Sequence, residues 1–324
     1  MRLIGLAVAL ALSLCLAPLG EAQQMGKVYR IGVLYPGADN SLFRTNFDGF
    51  RQALSEAGYV DGRNLVFEVR FGDGRALVPV AAELTKLHPD LILAVARPGV
   101  TAMQAATSTI SVVALDLESD PVASGFVKTI PRPGGNLTGV FMDFPELSGK
   151  WLELLKTSVP ALARVAVLWD PATGPAQLHA AHRAARILNL TVYAVEARTT
   201  AEIESAFRTA MRDRPNGMIV LTSPIFNSRR RDIADFAARY RLPTLVPFPG
   251  YEKDGGLVSY GPEVRTMYSQ VGTQAVKILA GTPPMEIPVE APTRFMFSIN
   301  LKTAKALGLT IPQTLLLQAD QVIE

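Results

Sequence analysis

The run Leu91-Ile92-Leu93-Ala94-Val95-Ala96-Arg97-Pro98-Gly99-Val100 decides how this chain is read. Its first residues are apolar on both faces of an extended backbone, as a central strand of a parallel sheet requires. Its last residues open a stretch of helical period. A bare guanidinium, Arg97, stands at the junction, where the positive end of the helix dipole disfavours it. Either a neighbouring carboxylate offsets that charge or an anionic ligand does.

Working outward, similar short apolar runs occur at 31–35, 112–115, 165–169, 218–221 and 244–246. Between them lie segments of helical period. In the segment 43–58, Phe43, Phe47, Phe50, Leu54 and Ala57 share one stripe, while Arg44, Asp48, Arg51 and Glu56 lie off it. Further helices are predicted near 76–88, 100–107, 146–158, 175–189, 201–213, 229–241 and 265–280. Strand–helix alternation implies right-handed crossovers and parallel sheets. The alternation runs twice, over roughly 28–130 and 163–260, so two lobes are expected.

Three turn-rich segments are candidate crossings: Arg132-Pro133-Gly134-Gly135-Asn136-Leu137-Thr138-Gly139, Ser259-Tyr260-Gly261-Pro262, and the prolines from Pro288 to Pro292. They divide the chain into a first lobe of 28–137 plus 261–291 and a second of 138–260 plus 292–324. Several crossings make a hinge, with a cleft at the carboxyl ends of both sheets.

The totals agree with this architecture. A chain of 324 residues suits about two domains, and 48% hydrophobic with 19% charged residues is globular. A net charge of +3 with interspersed signs and 7% aromatics gives no nucleic-acid footprint. Met1-Arg2, the apolar stretch 3–16 and the small residues before Ala22 read as a secretory signal peptide over 1–22. The stretch falls short of the roughly 20 residues of a membrane span. Cys15, the single cysteine, lies inside it and follows Leu14, which argues against a lipidated N-terminus. The mature chain is then expected to be exported, soluble and free of disulfide or thiolate chemistry.

Strand ends feed ligand loops in parallel sheets. Here they carry Tyr35-Pro36-Gly37-Ala38-Asp39-Asn40-Ser41, Arg97-Pro98-Gly99, Asp116 with Glu118-Ser119-Asp120-Pro121, Thr222-Ser223-Pro224-Ile225-Phe226-Asn227, and Pro247-Phe248-Pro249-Gly250-Tyr251. Arg97 either pairs with Asp116 or Asp120 or grips a ligand carboxylate as a fork. Asp120 either accepts from a ligand ammonium or starts a turn before Pro121. Tyr35, Phe226 and Tyr251 either wall a pocket or belong to the core. Asn40 and Ser41 read as helix caps that are also in reach of a ligand.

Catalytic signals are weak. His179 and His182 share a helix face with no third ligand at metal spacing, and His88 ends a helix before Pro89. There is no G-x-S-x-G elbow, no Walker loop and no H-E-x-x-H. Arg229-Arg230-Arg231 precedes Asp232 and Asp235 and reads as a solvated helix face. A carboxylate-handling hydrolase and a sensory module are the rival classes, and neither finds a supporting motif.

Several stretches resemble the ABC-transporter substrate-binding proteins of the type I periplasmic binding fold, in the branch with tryptophan- and phenylalanine-binding members. They are Ile31-Gly32-Val33-Leu34-Tyr35, Ala57-Gly58-Tyr59-Val60-Asp61-Gly62-Arg63-Asn64-Leu65, Asp120-Pro121-Val122, the 132–139 segment, Gly255-Gly256-Leu257-Val258-Ser259-Tyr260-Gly261, and the tail 299–312. The resemblance implies two Rossmann-like α/β lobes joined by a three-crossing hinge. It also implies a periplasmic, non-enzymatic monomer without a cofactor, which delivers a solute to an inner-membrane ABC permease. The ligand positions it implies are Tyr35, Asn40, Ser41, Arg97, Pro98, Asp120, Ser223, Asn227 and Tyr251, around an amino acid or related small carboxylate, aromatic ones included. Relatives carry a small residue where Arg97 stands, a departure that points to a more acidic ligand.

Overall fold

The computed structural model describes residues 27–72, 76–142 and 145–324. The expected signal segment, with Cys15, lies outside the described residues. The first sheet holds β1 (Tyr29–Pro36), β2 (Leu65–Gly72), β3 (Leu91–Val95), β4 (Val112–Asp116) and β5 (Leu137–Phe141), all parallel, in the order β2-β1-β3-β4-β5. Helices α1 (Ser41–Glu56), α2 (Leu77–Lys86) and α3 (Ala96–Ala106) connect its strands. The N-cap Asn40 accepts from the Phe43 N–H at 2.9 Å and starts α1, whose Phe43, Phe47, Phe50 and Leu54 are buried as the stripe predicts.

The second lobe runs through α4 (Pro145–Ser158), β6 (Arg164–Trp169), α5 (Ala176–Ile187), β7 (Thr191–Glu196), α6 (Ile203–Ala210), β8 (Gly217–Val220), α7 (Pro224–Ser228), α8 (Arg230–Arg239), β9 (Thr244–Val246) and β10 (Val258–Pro262). After β10 comes α9 (Val264–Leu279), which packs on α1 and so returns the chain to the first lobe. The chain then crosses back into β11 (Phe295–Asn300), α10 (Leu301–Ala306), α11 (Gln313–Leu316) and β12 (Gln321–Ile323). The seven strands lie in the order β12-β11-β10-β9-β8-β6-β7.

Two features differ from the sequence reading. Thr138–Phe141, assigned above to the second lobe, pairs with β4 in the first sheet, so the first crossing follows β5 instead of preceding it. Thr138 Oγ1 donates to the Ile287 carbonyl at 2.7 Å, and Val140 bridges Glu290, which ties the last crossing to this strand. Nor is the second sheet wholly parallel. The start of β11 pairs with the end of β10, Phe295 opposite Pro262, because the chain re-enters beside that end and runs back along it.

Close approach of α1 and α9 depends on glycine. A methyl at Gly49 would lie 2.5 Å from the Arg265 carbonyl oxygen, and one at Gly272 would lie 2.7 Å from Ala53 Cβ. Gly272→Val is therefore expected to cost about 1–3 kcal/mol, the usual penalty for overpacking. A urea-unfolding midpoint equal to that of the wild type would contradict this contact.

Candidate functional site

The strand ends of both sheets meet across a small cavity between the lobes. The first lobe contributes Tyr35 at the end of β1, Asn46 on α1, Val95 and Ala96 after β3, and Leu115, Leu117 and Glu118 at and beyond β4. The second lobe contributes Ser223, Pro224 and Asn227 around α7, and Phe248 after β9. Val264 and Tyr268 of α9 complete the wall. The lining is aromatic and aliphatic with a few polar groups, and both lobes touch the same space.

Two carboxamides face the cavity from opposite sides, Asn46 and Asn227. Among the described residues neither side chain has a hydrogen-bond partner in the protein. Ser223 is tied down: its Oγ donates to Asp170 Oδ2 at 2.7 Å and accepts from the Ile225 N–H at 3.3 Å. Asp170 in turn accepts from the Ala172 N–H at 2.9 Å.

The charged part of the wall is a buried carboxyl pair. Asp116 is 0% and Glu118 3% exposed. Asp116 Oδ1 accepts from the Glu118 N–H at 2.8 Å, and Glu118 Oε2 accepts from the Arg97 N–H at 3.0 Å at the start of α3. Loss of solvent first, and the Asp116 charge second, hold the Glu118 carboxyl well above its ordinary value. Burial raises Asp116 as well. Each carboxyl influences the other, so the pair disfavours carrying two charges at once. Burial also pushes the Tyr35 phenol up to about 12, with Glu118 adding to the shift.

Ala96 has φ +56, a left-handed conformation that is uncommon for a residue with a Cβ. Its strained turn lies in the cavity wall and directs the next amide, that of Arg97, at Glu118. The helix start therefore already has a carboxyl partner, supplied by the chain itself.

Of the residues expected at the site, Tyr35, Ser223 and Asn227 line the cavity. Asn40 borders a neighbouring pocket at the cleft mouth, with Gly37, Phe71 and Arg229, while capping α1. Ser41 is an exposed residue in the first turn of α1, and Pro98 lies within α3, away from the cavity lining. Asp120 accepts from the Val122 and Ala123 N–H groups at 2.8 and 3.0 Å, a turn starter. Tyr251 is 0% exposed in the core of the second lobe, as is Phe226.

Arg97 follows neither expected course. Its Nη1 donates to Ser119 Oγ at 3.0 Å and Ser124 Oγ at 3.1 Å, and among the described residues it forms no ion pair. Its side chain reaches the second lobe, where a methyl on Gly174 would lie 3.2 Å from Arg97 Nε. Arg97 thus bridges the lobes beside the cavity and is no direct pointer to an acidic ligand. Sequence reasoning missed Asn46, Phe248, Val264, Tyr268 and Glu118 as site residues, although Glu118 and Phe248 stand in the strand-end loops.

Elsewhere, Arg230 pairs with Asp254 at 2.7 Å and Arg229 with Asp232 at 3.4 Å. Among the described residues no cluster of His, Cys, Asp or Glu is placed to hold a metal. Among the same residues no helix is long and apolar enough to cross a membrane.

Two α/β lobes closing on an apolar-walled cavity define a binding protein of the type I periplasmic fold. The chain belongs to the ABC transporter substrate-binding protein family, whose model matches residues 30–323. It is 27% identical over 265 residues to a tyrosine-binding protein of Clostridioides difficile strain R20291, covering 81% of this chain and 76% of that one. A Streptococcus pneumonia ABC domain in complex with L-Trp superposes with a TM-score of 0.82 at 25% identity, covering 91% of this chain and 99% of that one. The ligand-free, open structure of a Clostridium difficile substrate-binding protein with adhesive properties has a TM-score of 0.63 at 24% identity, covering 92% and 99%.

The raised Glu118 carboxyl makes a signed prediction. The folded chain holds more protons than the unfolded chain between the ordinary and the raised value. Stability from this group is thus complete below the ordinary value and is lost as pH rises through the raised one. Lowering the pH from about 8 to about 5 should raise the thermal midpoint of the ligand-free wild type relative to Glu118→Gln. A constant difference between the two across that range would contradict the assignment.

Proposed function

We propose that the protein captures an amino acid with an apolar or aromatic side chain between its lobes and hands it, chemically unchanged, to an ABC permease. The observation that carries this reading is the composition of the cavity. Aromatic and aliphatic walls suit a ligand body such as a phenyl or indole ring, and a small set of polar groups from both lobes suits its polar end. Asn46 and Asn227 have free N–H donors for a carboxylate, one from each side of the cleft. Contacts from both lobes exist together only in the closed state, so the ligand stabilises closure by differential contact.

The relatives support this ligand class, since one is named for tyrosine and another holds L-Trp. Family membership supports a permease partner. On this reading residues 1–22 direct export to the periplasm, where the chain works as a monomer without cofactor or nucleic acid. The departure at Arg97 no longer argues for a more acidic solute, because its guanidinium is engaged by serine hydroxyls.

Calorimetric titration with L-tyrosine, L-tryptophan and L-phenylalanine tests the proposal. At least one should bind, and Asn227→Ala should weaken it by about tenfold or more, the worth of a hydrogen bond to a charged group. No binding by any of the three would overturn the assigned ligand class.

A further inference from the structure

We propose that the Tyr35 and Tyr268 hydroxyls form a paired receptor for a hydroxyl on the ligand's ring, so that the site selects an aromatic amino acid with a ring hydroxyl over its unsubstituted analogue. This deepens the amino-acid reading and rests on it. Both phenols line the cavity, Tyr35 from the end of β1 and Tyr268 from α9. They are 6% and 2% exposed. Neither hydroxyl has a hydrogen-bond partner among the described residues. Buried phenols ordinarily find one. Burial pushes Tyr35 up to about 12 and holds Tyr268 well above its ordinary value, with Tyr35 adding to the second shift. The two phenols are thus close enough to act on each other, and each keeps its proton near neutral pH, able both to donate and to accept.

Packing fixes the pair independently of a ligand. A row of rings joins the two phenols: Tyr35 and Phe43 have centroids 4.7 Å apart, Phe43 stacks on Phe47 at 5.3 Å, and Phe47 meets Tyr268 edge-on at 6.4 Å. Phe43 and Phe47 stand four residues apart on one face of α1, and α9 packs on that helix. All four rings belong to the first lobe, so the hydroxyls keep their spacing as the lobes move. The surroundings favour a neutral partner. Val95, Leu115, Leu117 and Phe248 wall the same cavity, where a charged group enters at greater cost than a neutral one. A ring hydroxyl donates to one phenol and accepts from the other, with its carboxylate end left to Asn46 and Asn227. A bare phenyl ring would displace water from both phenol oxygens and give them no partner in return.

Calorimetry on the purified protein with L-tyrosine, L-phenylalanine and 4-fluoro-L-phenylalanine tests this directly. L-tyrosine should bind at least about tenfold more tightly than either of the others, as expected where buried polar groups are otherwise left unpaired. The fluoro compound reaches the same end of the site without an O–H, which separates hydrogen bonding from fit. The double variant Tyr35→Phe with Tyr268→Phe keeps both rings and should bring the tyrosine-to-phenylalanine preference below about threefold. That ratio is the readout, because a purely structural role for the phenols would move both affinities together. A higher ratio in the double variant overturns the inference. If the variant does not fold, the wild type decides alone. A wild-type preference for L-tyrosine of less than about tenfold over either analogue overturns the inference while leaving amino-acid binding in place, and so does binding of L-tryptophan without L-tyrosine. If no aromatic amino acid binds, the ligand reading and this inference fall together.

Discussion

Burial of carboxyl groups where two sheets face each other is the constraint on which the rest depends. A carboxylate away from water must find a proton, a donor or a cation. At the end of β4 the chain places two such groups side by side, and the opposing lobe brings a third in Asp170. The first lobe answers with the Arg97 amide, set at the right angle by the strained Ala96. Those answers are partial. Of the three, Glu118 alone lines the largely apolar cavity.

The fold supplies this geometry cheaply. Parallel strands deliver their carboxyl ends, and the loops that follow, to one edge of each sheet. Tyr35, Glu118, Ser223 and Phe248 all come from such ends, on four different strands of two sheets. α9 adds a wall from a different direction, held against α1 by two glycines that let the helices touch. Tyr268 therefore moves with the first lobe, and closure sets Asn227 of the second lobe opposite it across the same space. Arg97 is held by Ser119 and Ser124 of its own lobe and touches Gly174 of the other lobe next to the cavity.

Much of the fold was legible because strands buried on both faces leave runs apolar throughout, and all six such runs are strands. The strands that escaped have other signatures. β2 alternates, with Glu68 and Arg70 only partly buried at a sheet edge. β5 reads as the tail of a turn because it carries Thr138 and Gly139, yet Gly139 is there for space: a methyl would lie 2.1 Å from the Ala114 carbonyl oxygen. At the site, the strand-end rule found Tyr35, Ser223 and Asn227. It had no means of finding Asn46, which sits on a helix, or Tyr268, which arrives from a segment far along the chain. A lone cation at a helix start drew attention to Arg97, but its partners Ser119 and Ser124 leave no spacing signal. Asp120 and Glu118 stand two residues apart in one loop, and only the fold shows that the first makes a turn and the second faces the cavity.

The central claim is that the lobes close on a solute bound in the space between them. Small-angle scattering of the purified protein, without and with saturating L-tyrosine, tests it most directly. The account predicts a smaller radius of gyration with ligand and a profile that then fits the arrangement described here. Tight binding with an unchanged profile would contradict it.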